Sequence, residues 1–273
     1  MTALSLLFGG LVGLSLGLTG GGGAIFAVPL LVYGLQIAPK EAVSISLTAV
    51  GTTSLVGFLS RWRIGEVELR TGLLFAVAGM LGTPGGAWIA NQLSEPVLLI
   101  LFSLLMFMIA GRLWYEAGRV PAPVSASCPN PDVLDGPTCR RDAQGNLQLT
   151  SRCALLLLVV GLVTGVFSGL FGVGGGFLIV PALIVFSGMS IQRAVGTSLM
   201  VIALVSAAGV AAQLGSGRSL NMTVTTLFVI GGLLGLFTGQ RLGRQLSTAT
   251  LKRVFSVAIL GVAVFMIARN LGS

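Results

Sequence analysis

The 273-residue chain is 54% hydrophobic and only 9% charged, and its mean hydropathy is +0.98. Soluble domains carry about 25% charged residues, so this composition excludes a soluble globular protein and predicts an integral membrane protein. The formal net charge is +8. In a membrane protein such an excess of Lys and Arg marks the cytoplasmic loops, so no nucleic-acid partner is predicted. The amino-terminal MTALSLLFGG lacks the basic region of a signal peptide, and we expect it to be retained.

The first charge-free run, residues 1–39, is interrupted by four consecutive glycines in the segment LTGGGGAIFAVP. Each glycine costs about 1 kcal/mol of helix stability relative to alanine, so the helix is expected to break there. Unpaired backbone cannot face lipid, and the break is therefore expected to be buried in protein or to line a wet cavity. The run is too long for one helix and predicts either two crossings or a re-entrant hairpin.

Three ordinary membrane spans follow in the first half, and the same plan returns in the second half. The spans are predicted at about 42–59, 71–93 and 96–110. A second glycine cluster, in LFGVGGGFLIVP, opens another long run, which is followed by spans at about 194–213, 222–243 and 250–268. Apolar runs of this kind lack the alternation of a membrane β-barrel, so all spans are predicted to be helical.

The residues between the halves, 115–152, are polar and proline-rich, which predicts a linker. Cys128 and Cys139 lie in it, and we expect ordinary thiols there, with a pair forming only in an oxidising compartment. The predicted units are therefore membrane repeat 1 (1–114), the linker (115–152) and membrane repeat 2 (153–273).

The second half repeats the first half at a shift of 152 residues. The segment AVSISL (42–47) aligns with AVGTSL (194–199), and at a shift of 153 NQLS aligns with RQLS. The glycine and proline landmarks keep the same spacing, which indicates a tandem duplication: Gly13 with Gly165, Gly17 with Gly169, Gly20 with Gly172, Gly22 with Gly174, Gly23 with Gly175, and Pro29 with Pro181.

Each half makes an odd number of net crossings, so the two repeats are predicted to be inverted relative to each other. Twelve of the 16 Lys and Arg residues lie on one predicted face, and the remaining four lie on the opposite face, namely Lys40, Arg193, Arg218 and Arg269. By the positive-inside rule the linker is then cytoplasmic and both termini are external, in the cell (inner) membrane. The predicted fold is an all-α polytopic membrane protein with two inverted repeats, each a glycine-broken helical hairpin plus three transmembrane helices.

The chain has no His, and its eight acidic residues all lie at span ends or in loops. Proton-coupled carriers and cation sites need carboxylates or histidines inside the membrane. The HExxH motif does not occur in this sequence, and the one GxSxG match, GLSLG at 13–17, lies in a chain that has no His to complete a Ser-His triad. We therefore predict no enzyme activity, no catalytic residue, no metal and no cofactor.

The glycine clusters instead suit an anion. A glycine turn followed by a helix N-terminus presents backbone N–H groups to negative charge, and inverted-repeat transporters place such broken helices around the substrate. A purely structural hinge is the alternative for the clusters. The predicted substrate-binding residues are the clusters and nearby hydroxyls: Thr19, Gly20, Gly21, Gly22, Gly23, Ser44, Ser46, Gly172, Gly174, Gly175, Gly176, Thr197 and Ser198.

Lys40 and Arg193 are candidate entrance charges, with ordinary interfacial cations as the alternative. Glycines also recur at every fourth position, which predicts close helix packing and also allows a homodimer. These stripes are Gly9-Gly13-Gly17, Gly161-Gly165-Gly169 and Gly231-Gly235-Gly239-Gly243.

The paired segments GGGGAIFAVP with AVSISL, and GVGGGFLIVP with AVGTSL, resemble the TauE/SafE family of sulfite exporters. The resemblance covers about 4–114 and 154–269, although the first copy has Ser44 and Ile45 where Gly-Thr is typical. It implies a membrane permease that moves sulfite, sulfonates or related small anions, often as efflux. A passive anion channel, or a membrane scaffold whose glycines only pack helices, is the alternative.

Overall fold

The computed structural model describes residues 2–118, 151–187, 189–215, 221–243 and 257–266. This part of the chain forms ten helices and no strand. They are α1 (Thr2–Thr19), α2 (Gly22–Gly34), α3 (Pro39–Trp62), α4 (Leu69–Gln92), α5 (Glu95–Gly118), α6 (Ser151–Phe171), α7 (Gly176–Ser187), α8 (Ile191–Gly215), α9 (Met222–Gly243) and α10 (Val257–Met266).

Six of these helices are long and apolar enough to cross a membrane, namely α1, α3, α4, α6, α8 and α9. The all-helical polytopic fold predicted from composition is therefore confirmed. The predicted spans at 42–59, 71–93, 96–110, 194–213 and 222–243 coincide with α3, α4, α5, α8 and α9. The last predicted span is described only over α10.

Helices of the first half pack directly against helices of the second half. The helix α1 lies along α9, and α6 lies along α4, so the opening helix of each half packs on the second ordinary span of the other half. The helices α3 and α8 pack on each other, and they also contact α9 and α4 respectively. The α1–α9 and α3–α9 contacts thus recur with the halves exchanged as α6–α4 and α8–α4, as two copies of one unit require. Inversion relative to a membrane stays a prediction.

The glycine stripes make the two long crossings possible. A Cβ on Gly13 of α1 would collide with the backbone of Gly232 on α9, and one on Gly165 of α6 would collide with Gly79 on α4. Backbones that approach this closely need glycine at the crossing. The prediction that the stripes pack helices is confirmed. Because they are used inside the chain, they give no support to the homodimer.

The interior is apolar, with hydroxyl groups as its main polar component. Among the side chains that the structure describes, the buried polar ones belong to Ser, Thr and Gln213. No described Asp, Glu, Lys or Arg side chain is buried. Large apolar side chains such as Leu81, which is 72% exposed, and Leu104, which is 64% exposed, cover the outside. This arrangement suits a protein that lipid surrounds.

The glycine clusters form the tips of two asymmetric hairpins. The returning arm α7 has 12 residues and spans about 18 Å at 1.5 Å per residue. The hydrocarbon core of a bilayer is about 30 Å thick, so an arm of this length does not cross it. The arm α2 is a short apolar helix of the same kind, built from 3-10, α and π turns. These lengths favour a re-entrant hairpin over two crossings.

Cys153, near the start of α6, is buried and disulfide-bonded. The other two cysteines, Cys128 and Cys139, lie outside the described residues, and so does most of the predicted linker. The boundaries of the two repeats stay predictions.

Candidate functional site

The two glycine clusters lie against each other. A Cβ placed on Gly21 would be 2.7 Å from the carbonyl oxygen of Gly176, and one placed on Gly176 would be 2.6 Å from the Cα of Gly21. Real Cβ atoms do not approach other atoms so closely, so both positions require glycine. We call residues 20–23 the first turn and residues 172–176 the second turn. The sequence predicts both turns, and the structure brings them into backbone contact.

Each turn is held by a helix from the other half. Gly20 and Gly172 have left-handed φ angles of 74° and 71°, which glycine adopts without strain. A Cβ on Gly20 would lie 2.9 Å from the Cα of Val195 on α8, and one on Gly172 would lie 2.8 Å from the Cα of Val43 on α3. Both pairs are related by the 152-residue shift, so the same contact is made twice.

Two predicted hydroxyls complete these contacts. Ser46 on α3 donates to the carbonyl oxygen of Gly172 at 2.6 Å, and Ser198 on α8 donates to the carbonyl oxygen of Gly20 at 2.6 Å. Both serines are buried. The hydroxyl of Ser198 also lies 2.8 Å from the carbonyl oxygen of Val195 on its own helix, so the turn carbonyl of Gly20 and that carbonyl share its one proton. The structure therefore shows these serines positioning the turns.

The remaining predicted hydroxyls are engaged elsewhere. Thr197 accepts the backbone N–H of Glu68 at 3.0 Å and so contacts the connection between α3 and α4. Ser44 donates to the carbonyl oxygen of Lys40 on its own helix, at 3.4 Å. Thr19 donates to Ser15 at 2.8 Å, but its Oγ1 also lies 3.2 Å from the Cβ position of Gly22. Only Thr19 of these three adjoins a turn.

Gly23 and Gly175 pack inside their own hairpins. A Cβ on Gly23 would collide with the backbone of α1 near Ser15, and one on Gly175 would lie 3.0 Å from the carbonyl oxygen of Thr164 on α6. Gly174 and Gly175 also have left-handed φ angles, of 66° and 68°. These positions fix the shape of the tips.

Three buried serines that the sequence analysis did not select lack a hydrogen-bond partner among the described residues. They are Ser54 on α3, Ser168 on α6 and Ser206 on α8. The Oγ of Ser206 lies 3.2 Å from the Cβ position of Gly174 in the second turn. Ser54 and Ser206 are related by the 152-residue shift. This repetition is the feature of the sequence from which the two serines could have been selected.

The two candidate entrance charges occupy different surroundings. Lys40 donates from Nζ to the carbonyl oxygen of Asn91 at 3.4 Å, at the C-terminal end of α4. A cation is favoured there because the last carbonyls of a helix carry partial negative charge. Arg193 is exposed in the first turn of α8.

A small cavity lies beside the turns, between α1, α3 and α9. Its volume is about 10 Å³, and it is lined by apolar groups together with Thr53. A single water needs at least about 10–15 Å³ on this measure, so the cavity does not admit a substrate.

The fold defines a polytopic helical membrane protein in which two helical hairpins are broken at glycine clusters. The chain belongs to the TauE/SafE sulfite exporter family, whose sequence profile matches residues 5–266. The resemblance noted in the sequence is thereby confirmed.

Relatives named as transporters match nearly the whole chain. A "Probable membrane transporter protein" from Xylella fastidiosa (strain Temecula1) is 35% identical over 97% of this chain and 94% of that protein. The Bacillus subtilis "Probable membrane transporter protein YdhB" is 27% identical over 91% of both chains. A Methanocaldococcus jannaschii relative with a similar name is 23% identical over 95% of this chain and 92% of its own length. No solved structure matches. The protein is a membrane transporter.

Proposed function

We propose that this protein exports small anions such as sulfite or organosulfonates, and that it acts as a carrier without enzyme activity. The substrate binds where the first and second turns meet. The observation that carries the proposal is the backbone contact between Gly21 and Gly176, which joins the tips of two broken hairpins. The family's description as sulfite exporters supports the substrate class.

The sign of the substrate follows from the helix ends. The helix α7 begins at Gly176, and α2 begins at Gly22, so both N-termini start at the contact. A helix N-terminus carries about +0.5 of an elementary charge, and two such ends repel each other in a medium of low dielectric constant. No described acidic side chain is buried to offset them. An anion between the ends removes the repulsion.

Transport requires that the turns separate. The contact between Gly21 and Gly176 leaves no room for an anion between these two residues. We propose that one hairpin moves away from the other and opens the site to one face at a time. Efflux needs no proton site, because an inside-negative membrane favours anion exit by about 2.3 kcal/mol per charge per 100 mV. Lys40 and Arg193 are the proposed entrance charges.

A thermal-shift screen tests the substrate class. The purified protein is melted with sulfite, thiosulfate, sulfoacetate or taurine, with acetate and chloride at equal ionic strength as controls. A ligand at 100 times its Kd stabilises the folded state by about 2.7 kcal/mol, so a sulfur oxyanion that binds raises the melting temperature above the controls. Equal melting temperatures in all salts would count against anion binding.

A further inference from the structure

Ser206 carries a hydrogen-bond donor that the described protein leaves unused. The residue is fully buried, and its Oγ has no hydrogen-bond partner among the described residues. A buried hydroxyl without a partner destabilises the folded state. Ser103, by contrast, avoids the cost by donating to the carbonyl oxygen of Leu99, four residues earlier, at 2.8 Å. Ser206 makes no such bond.

The hydroxyl of Ser206 lies against the second turn. Its Oγ is 3.2 Å from the Cβ position of Gly174, whose backbone is left-handed, and α7 begins two residues later. The same Gly174 position is bordered by Ile202 and Val50. A donor, the positive end of a 12-residue helix and an apolar wall therefore converge at one place. Hydrogen bonds to an anion are strong in such surroundings.

The first turn is built differently. There the hydroxyl at the equivalent distance belongs to Thr19, whose Oγ1 is 3.2 Å from the Cβ position of Gly22. Thr19 already donates its proton to the carbonyl oxygen of Ser15 at 2.8 Å. The hydroxyl that adjoins the second turn is thus an uncommitted donor, whereas the one that adjoins the first turn is committed.

We propose that the second turn is the recognition half of the site, and that Ser206 donates a hydrogen bond to an oxygen of a bound oxyanion. Sulfite and sulfonates have several acceptor oxygens that suit such a donor. This inference rests on the proposed function. It further specifies which turn and which side chain bind the anion.

The test compares three alanine variants of the full chain by melting and by sulfite titration. Ser206→Ala removes the uncommitted donor, so the melting temperature without anion stays the same or rises, while the Kd for sulfite increases about ten- to a hundredfold. Ser198→Ala removes a bond to a turn and lowers the melting temperature without anion. Ser54→Ala, the repeat-related control, leaves the Kd for sulfite unchanged. Ser206→Cys, which keeps the side-chain size with a weaker donor, gives a smaller rise in Kd.

The outcomes separate this inference from the proposed function. A wild-type protein that does not respond to sulfite or to the other oxyanions overturns the proposed function. A wild-type protein that binds sulfite, together with Ser206→Ala and Ser206→Cys variants that bind it equally well, overturns the assignment of Ser206 alone. A fall in melting temperature for Ser206→Ala as large as that for Ser198→Ala, with unchanged affinity, also overturns it and makes Ser206 structural.

Discussion

At Gly20 and Gly172 two independent constraints fall on the same residue. The left-handed backbone disfavours any side chain, and the neighbouring valine backbone occupies the space that a Cβ would need. The two costs add, because removing one does not relieve the other. The structure of the turn therefore requires glycine at these two positions, whether or not a ligand binds there.

We therefore expect Gly172→Ala to destabilise the folded protein strongly. The left-handed conformation costs about 1–2 kcal/mol for a non-glycine residue, and overpacking against Val43 adds about 1–3 kcal/mol. Gly85 in α4 is the matched control, since a Cβ there meets nothing within 4 Å. Thermal melting in detergent should show a large loss for Gly172→Ala and none for Gly85→Ala. Equal melting temperatures would contradict the described turn.

The serines that hold the turns give a second expectation. In Ser46→Ala the carbonyl of Gly172 loses its donor inside the protein, which costs about 1–3 kcal/mol. Thr52→Ala is the control, because that hydroxyl is on the exposed side of α3 and bonds only to its own helix. A melting temperature of Ser46→Ala that matches that of Thr52→Ala would show that the bond to the turn does not form.

The sequence predicts the glycines of the site better than its hydroxyls. Glycine clusters are visible because no ordinary helix tolerates them, whereas a serine in a membrane helix looks the same whether it bonds its own helix or another element. Ser46 and Ser198 reach across the molecule to the opposite turn, and Thr197 reaches a loop. Which partner each hydroxyl reaches depends on how the two halves pack. The residue pattern of a single span does not contain that information.

At the scale of helices, the pairs α1 with α9 and α4 with α6 hold the two halves together. Their sequences predict the spans well, because charge-free runs and the charges that end them fix where a helix enters and leaves the membrane. The choice of partner could not be predicted. Glycine stripes show that a helix packs closely, but they do not show against which neighbour.

The α1–α9 crossing offers a matched pair of substitutions. A Cβ on Gly13 would collide with the backbone of Gly232, whereas one on Gly10 would lie 3.7 Å from the carbonyl oxygen of Gly231, an ordinary contact. We expect Gly13→Ala to reduce the yield of folded protein. Gly10→Ala should be neutral or stabilising, by up to about 1 kcal/mol from helix propensity. Size-exclusion profiles and melting temperatures measure both. A Gly13→Ala variant as stable as Gly10→Ala would contradict the crossing.

At the scale of the whole molecule, two observations point to opposite orientations. The distribution of Lys and Arg predicts that the face bearing Arg63 and the linker is cytoplasmic. The disulfide at Cys153, which begins the second half directly after the linker, favours an oxidising compartment for the same face. We propose the orientation given by the charges, since the positive-inside rule depends on many residues.

Residues at the two ends of α3 test that orientation. Ala38 precedes the helix and Arg63 follows it, and both are exposed. In intact cells a membrane-impermeant maleimide should label Ala38→Cys above the wild-type background, and it should label Arg63→Cys only after the membrane is opened. The reverse pattern would place the linker outside and agree with the disulfide.

The central claim is that the two turns form a carrier site for a small oxyanion. The most direct measurement is counterflow of radiolabelled sulfite into proteoliposomes that are preloaded with unlabelled sulfite. A carrier predicts a transient, saturable accumulation of label above equilibrium, absent from protein-free liposomes. If folded protein gives no uptake of sulfite or of simple sulfonates, or only a non-saturating leak without counterflow, the claim is contradicted.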